Sequence, residues 1–150
     1  DLHRGKRLFI LASGPSRGAL DLAPLQRRIV MGLNRSFLAY PETHYHCAMD
    51  KHLLDEYDDL LRTTRYLFTL EDRPGGIPLR LLGAEDFSFD LQKGVYSGYT
   101  ISCLMLQITV HMGFRQIFYL RLDLQNRSGM THFFARITTR STTTRLNFPV

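Results

Sequence analysis

No apolar run in this 150-residue chain is long enough to span a membrane, so no integral membrane helix is expected. The opening DLHRGKRLFILAS is a poor secretory signal: its apolar segment is short and runs into Gly14-Pro15, as a strand meets a loop. Cysteine is scarce. Cys47 and Cys103 both sit in apolar runs without metal-ligand spacing, which reads as free buried thiols in a reducing, cytoplasmic setting. The nucleotide fingerprints GxGxxG and the Walker loop are both missing. So are an aromatic-studded RNA motif and a helix-turn-helix signature, and nucleic acid is not expected as a partner. The chain has no internal repeat and no domain boundary, and residues 1–150 read as a single domain.

What is present suits one globular core. The hydrophobic fraction of 44% is ordinary for a folded domain. The formal charge of +5, from 19 Lys and Arg against 14 Asp and Glu, suits an anionic ligand or an acidic membrane surface. It therefore admits peripheral membrane association. Part of the excess lies in the tail, where Arg136, Arg140 and Arg145 have no acidic neighbours. Residues 135–150 read as an irregular basic tail, either a last irregular strand or a disordered end.

The stretch SGYTISCLMLQITVHMGFRQIFYLRLDL, from Ser97 to Leu124, organises the rest. Ile101, Leu104, Met105, Ile108 and Met112 recur at helical spacing, and Cys103, Leu106 and Val110 widen the apolar surface. A helix apolar on most sides is a buried helix. Gly113 supplies its stop, and Ile117 to Leu122 form a short apolar strand. Buried helix, glycine and near-continuous apolar strand make half of a βαβ unit in a parallel sheet. The predicted fold class is α/β, a Rossmann-like open, mostly parallel sheet flanked by helices, with the helix over 98–112 packed against it. The helix front, Ser97-Gly98-Tyr99-Thr100, offers unpaired N–H groups, a positive dipole end and hydroxyls, a seat for phosphate. Either hydroxyl could instead simply cap the helix. Gly98 is read as clearing the approach, so Gly98→Val is expected to weaken nucleotide binding with the fold largely intact.

In chain order, RLFILAS (7–13) is a first strand that breaks at Gly14-Pro15-Ser16, either a ligand loop with Ser13 and Ser16 as donors or a plain turn. Residues 21–26 form a turn or helical piece. RIVMGL (28–33) is the second strand, ending at Asn34, whose amide can both donate and accept. YHCAM (45–49) is the third, closed by Asp50. KHLLDEYDDLL then reads as one amphipathic helix with a solvated acidic face, and His44, His46 and His52 lack a ligand pattern. Residues 64–70 give a fourth strand, and 72–76 a turn. Phe87, Phe89 and Tyr96 lie in a stretch that is either a lid or a packed connection. Asp123 ends a parallel strand, where ligand-binding acids sit in open sheets. His132 is the candidate general acid or base, because its ordinary pKa is near neutral.

LFILASGPS, GLNRSF, CAMDKHLLDEY, the 97–124 stretch and the later THFF together resemble the MptE-like family. These Rossmann-like proteins include archaeal 6-hydroxymethylpterin diphosphokinases and domains of bacterial motility accessory factors. More distantly, the chain is similar to bacterial sialyltransferases that use CMP-sialic acid. The resemblance spans about residues 7–134 and implies a nucleotide at the carboxyl ends of the strands. It assigns Ser13, Gly14, Pro15, Ser16, Asn34, Asp50, Ser97, Gly98 and Thr100 to nucleotide binding. It assigns Asp123 and His132 to catalysis. Ser13 stands where the sialyltransferases usually have Asn, and Arg121 where the family commonly has Gly. The chain ends soon after His132, which reads as a fragment or a reduced member lacking C-terminal elements.

The function this implies is a transferase using an activated nucleotide substrate, foremost a sialyltransferase-like nucleotide-sugar glycosyltransferase of surface glycan biosynthesis. Its partners would be a nucleotide or nucleotide-sugar and a glycan or small-molecule acceptor, and no cofactor is assigned to it. One alternative is a diphosphokinase moving pyrophosphate from ATP to a pterin alcohol, with Mg²⁺ on Asp50 and Asp123. Another is a nucleotide-binding module that has lost catalysis.

Overall fold

The computed structural model describes residues 2–12, 20–70 and 73–120 in full, and the backbone of 143–147. In the main sheet β1 (Arg7–Leu11) pairs in parallel with β2 (Ile29–Leu33) on one side and with β8 (Gln116–Leu120) on the other. From β2 the sheet continues through β3 (Tyr45–Cys47), β4 (Leu67–Thr69) and β5 (Gly76–Pro78), all parallel. β9 (Thr143–Asn147) lies antiparallel along the outer side of β8. The sheet order is β5-β4-β3-β2-β1-β8-β9, an open, mostly parallel α/β sheet of Rossmann type. A separate two-stranded parallel sheet joins β6 (Leu81–Gly83) and β7 (Val95–Tyr96).

Period-two alternation sends the strand side chains to two faces. Leu8, Ile10, Met31, Leu33, Tyr45, Cys47, Phe68, Ile117 and Tyr119 point to one face, where helix α3 (Ile101–His111) covers them with Leu104, Met105 and Ile108. On the other face Leu11 and Val30 pack with Leu25 and Tyr40. Farther along that face, Phe37 and Leu67 pack with Leu53, Leu54 and Leu61 of α1 (Lys51–Glu56) and α2 (Asp58–Leu61). Burial on both faces is why β1 and β8 read as near-continuous apolar runs.

The main periodic segments behave as read, with shifted ends. The expected 98–112 helix begins at Ile101, because Thr100 is its extended N-cap. It ends in a Schellman motif: Gly113 (φ 91) donates to the Val110 carbonyl at 3.0 Å and Phe114 donates to that of Thr109 at 3.2 Å. The single helix expected over 51–61 is broken at Tyr57, whose φ −121, ψ 27 is not helical. The fragments α1 and α2 keep the same apolar face. Residues 76–83 were expected to be turn or unreadable; they carry the two short strands β5 and β6. Of the two readings of the tail, a last strand or a disordered end, residues 143–147 form a strand, β9, paired along β8. No helix among the described residues is long and apolar enough to cross a membrane.

A buried side chain ties the excursion from β5 to α3 at two points. Gln107, fully buried on α3, accepts from the backbone N–H groups of Ser88 at 2.9 Å and Tyr96 at 3.0 Å. Its amide donates to the carbonyls of Tyr96 at 2.7 Å and Cys103 at 3.3 Å. The amide thereby uses both hydrogens and both oxygen lone pairs. The stretch 84–96 is thus a packed connection, although Phe89 at its tip is 72% exposed.

Gln107→Leu keeps the volume but strands three backbone groups in the interior. Each orphaned group costs about 1–3 kcal/mol, so the variant should lose at least roughly 3 kcal/mol of unfolding free energy in urea titration. A loss under about 1 kcal/mol would show that the pin is dispensable.

Candidate functional site

Parallel strands leave a sheet along one edge, and here that carboxyl edge collects several candidates. The sheet order switches direction between β1 and β8: β1 connects toward β2, whereas β8 pairs outward with β9. At this switch the Ala12 N–H donates to the Leu120 carbonyl at 2.9 Å, so the last described residues of both strands are bonded neighbours. The sequence continues from Ala12 into Ser13, Gly14, Pro15 and Ser16, and from Leu120 toward Asp123 and His132. Those six candidates lie outside the described residues. The front of α3 is at the same edge, since Tyr119 Oη, near the end of β8, donates to the Ser102 carbonyl in the first helical turn at 2.9 Å.

Asn34 and Asp50 follow the neighbouring strands β2 and β3. Asn34 adopts the left-handed region at φ 45, uncommon for a residue with a side chain. Its carbonyl accepts from His46 Nε2 at 2.9 Å, and its side-chain Oδ1 is buried without a partner among the described residues. An unpaired buried acceptor is costly unless a donor arrives from elsewhere. Asp50 is exposed and caps α1, its Oδ1 accepting from the His52 N–H at 2.9 Å.

His46 is the buried support of the Asn34 turn. It sits in β3 with its ring edge-on to Phe37 at 5.5 Å, and a Cβ on Gly32 would lie 2.5 Å from its Nδ1. Burial lowers its pKa to about 4, although the bond to the Asn34 carbonyl pulls the other way. The neutral ring with hydrogen on Nε2 is the form that donates to Asn34. Sequence reading weighed His46 only as a metal ligand. Its place in the apolar run Tyr45-His46-Cys47 was the available signal for a buried structural imidazole.

The helix front has its own internal logic. Thr100 Oγ1 accepts from the Cys103 N–H at 3.2 Å, an N-cap. Ser97 Oγ accepts weakly from the Tyr99 N–H at 3.4 Å. Gly98 and Tyr99 are both left-handed, at φ 53 and φ 57. A Cβ on Gly98 would fall 2.2 Å from Cys103 Sγ and 2.6 Å from Cys103 Cβ. The expectation that Gly98→Val spares the fold is therefore corrected. The missing side chain makes room for Cys103 and permits the turn, which accounts for the glycine without any ligand. Tyr99 projects outward, 72% exposed, with its hydroxyl donating to Glu85 at 3.0 Å. Burial raises the Cys103 thiol pKa, so this cysteine is a packing group.

No family model, curated protein or solved structure matches the chain in comparisons with known proteins.

Gly98→Ala should lower stability by at least about 2 kcal/mol through the clash and the left-handed strain together, read as a fall in the urea midpoint. An unchanged midpoint would refute the packing role. His46 makes a second, signed prediction. Its folded pKa lies below its ordinary value of 6.5, so the unfolded chain binds the proton first. Its contribution is complete above about pH 6.5 and falls away as pH drops toward about 4, a loss of about 3 kcal/mol. His3 shifts in the same direction, chiefly by burial, so wild type must be compared with His46→Gln. The variant should show a shallower slope over that window, and equal slopes would contradict the assignment.

Proposed function

We propose that this protein is a transferase that seats an activated nucleotide substrate at the carboxyl edge of its sheet. The reading most in keeping with the motifs is a nucleotide-sugar glycosyltransferase of sialyltransferase type. The observation that carries it is the switch in sheet order between β1 and β8, with the front of α3 beside it. Open α/β sheets bind ligands outside the carboxyl ends of their strands at such a point.

The chemistry would be displacement at the sugar carbon. The acceptor hydroxyl oxygen forms the new bond as the bond from that carbon to the phosphate oxygen breaks, and the nucleotide departs with the electron pair. His132 would take the proton from the acceptor hydroxyl, and Asp123 would orient the reacting groups. Negative charge growing on the leaving phosphate would meet the helix front. Thr100 suits this because a hydroxyl that accepts from Cys103 N–H still has its own hydrogen to donate. Asn34 Oδ1, buried and without a partner among the described residues, would accept from a base amino group or a ribose hydroxyl. Ser13, Gly14, Pro15, Ser16 and Asp50 would supply further contacts to the nucleotide.

A thermal-shift panel of CMP, UDP, GDP, ATP and pterin, each with and without Mg²⁺, tests the reading. A ligand about a hundredfold above its Kd should raise Tm by roughly 5–10 °C for a chain of this size. CMP stabilisation without metal is the expected result. Stabilisation by ATP or pterin only with Mg²⁺ would replace the glycosyltransferase by the diphosphokinase. No shift with any nucleotide would overturn the site.

A further inference from the structure

The opposite edge of the sheet carries a feature that nucleotide transfer does not use. In a parallel sheet every strand begins on the same edge, so residues preceding the strands gather there although they are far apart in sequence. Lys6 and Arg7 open β1, Arg27 and Arg28 precede β2, Arg65 precedes β4 and Arg115 precedes β8. All six are exposed. Among the four residues before each of β1, β2, β3, β4 and β8, Glu42 is the lone carboxylate.

These lead-ins are close enough to feel one another. His3 is held below the usual histidine range by burial first, then by the charges of Lys6 and His44. The Tyr45 hydroxyl at the start of β3 has its pKa raised by burial first and then by Tyr66, while the charge of Arg65 before β4 acts the other way. Three of the six cations are not neutralised by any described residue. Lys6, Arg28 and Arg65 make no ion pair with any described residue, whereas Arg62 nearby is paired with Asp58 at 2.6 Å.

Two further observations say what kind of polyanion fits. Tyr66 is 39% exposed, but one face of its ring stacks on Tyr45 at 5.3 Å and Arg65 lies over the ring at 5.4 Å. With one face stacked and a guanidinium over the ring, Tyr66 offers a nucleic-acid base less open surface than a free aromatic platform does. Its amphipathic rim suits a headgroup layer. Leu2, 72% exposed, extends from a turn pinned at the same edge. His3 pins that turn: its N–H donates to the Met112 carbonyl at 3.1 Å, its ring stacks on Phe114 at 4.4 Å, and its Nε2 bonds Tyr45 Oη at 2.7 Å. An apolar side chain and a tyrosine rim among cations is the chemistry of an anionic bilayer surface.

We propose that the amino edge of the sheet is a docking surface for anionic phospholipid membranes, which leaves the carboxyl edge facing the aqueous phase. The test is co-sedimentation of the full chain with phosphatidylcholine vesicles, with and without phosphatidylglycerol. Binding should require the anionic lipid and weaken as salt is raised. Lys6→Glu/Arg28→Glu/Arg65→Glu should weaken it roughly a hundredfold, since each basic residue near an anionic surface counts for about a fivefold factor. Arg35→Glu/Lys51→Glu/Arg80→Glu makes the same change in formal charge, from +5 to −1, with cations outside these lead-ins, and should weaken it far less. Melting curves check both variants, and the single reversals, each expected to cost about fivefold, serve if the triple does not fold. Absence of binding to anionic vesicles, or equal weakening by the two triple variants, would overturn the proposal. So would tighter binding to duplex or single-stranded oligonucleotides than to vesicles.

Discussion

Everything in this architecture depends on β1 being held from both sides. It pairs with β2 through Leu8↔Ile29 to Leu11↔Gly32, and with β8 through Arg7↔Gln116 to Leu11↔Leu120. The two registers fix which side chains face α3 and which face the opposite layer. A slip of one residue would carry Leu8 and Ile10 to the wrong face and bring Phe9 and Leu11 against α3. The same pairing brings the Ala12 N–H to the Leu120 carbonyl and so defines where the carboxyl edge divides.

The parallel α/β class of the sheet was legible because its cues are local and repeated. Five of the strands, the helix with its Gly113 stop and the strand exits at Asn34 and Asp50 all follow from apolar runs broken by turn residues. The stretch 76–96 was not legible. Unlike β3 and β4, whose three residues lie inside longer apolar runs, β5, β6 and β7 are short, broken by Gly76, Pro78 and Gly83, and show no period. Gln107 illustrates the limit: a polar residue inside an apolar helix has meaning only once Ser88 and Tyr96 are known to face it. Gly98 illustrates another. Sequence suggested open space for a ligand, but the direction of a hydrogen at φ 53 points into Cys103. The break at Tyr57 was hidden because α1 and α2 preserve one apolar face across it.

A parallel sheet also gives a molecule two unlike ends. Helix fronts and strand exits meet at one, presenting donors and small polar side chains suited to a small anion. Strand entries meet at the other, and in this chain they bring exposed cations drawn from four separate lead-ins. Neither collection is a run in the sequence. Each is a product of topology, which explains how a modest overall charge of +5 can be locally strong.

The pairing of β1 with β8 has a consequence for the order of assembly. Arg7 and Gln116 are 109 residues apart. During synthesis at about 5–20 residues per second, β1 would wait roughly 5–20 s for this neighbour. Over that interval β1 has β2 as its available companion, and Leu8 and Ile10 lack the cover of α3. Contacts of such long sequence separation also slow folding, because the closure entropy of the intervening chain must be met before the pairing offers any return. β1 is therefore made well before β8 and α3 enclose it, a natural client for a chaperone that shields nascent apolar segments.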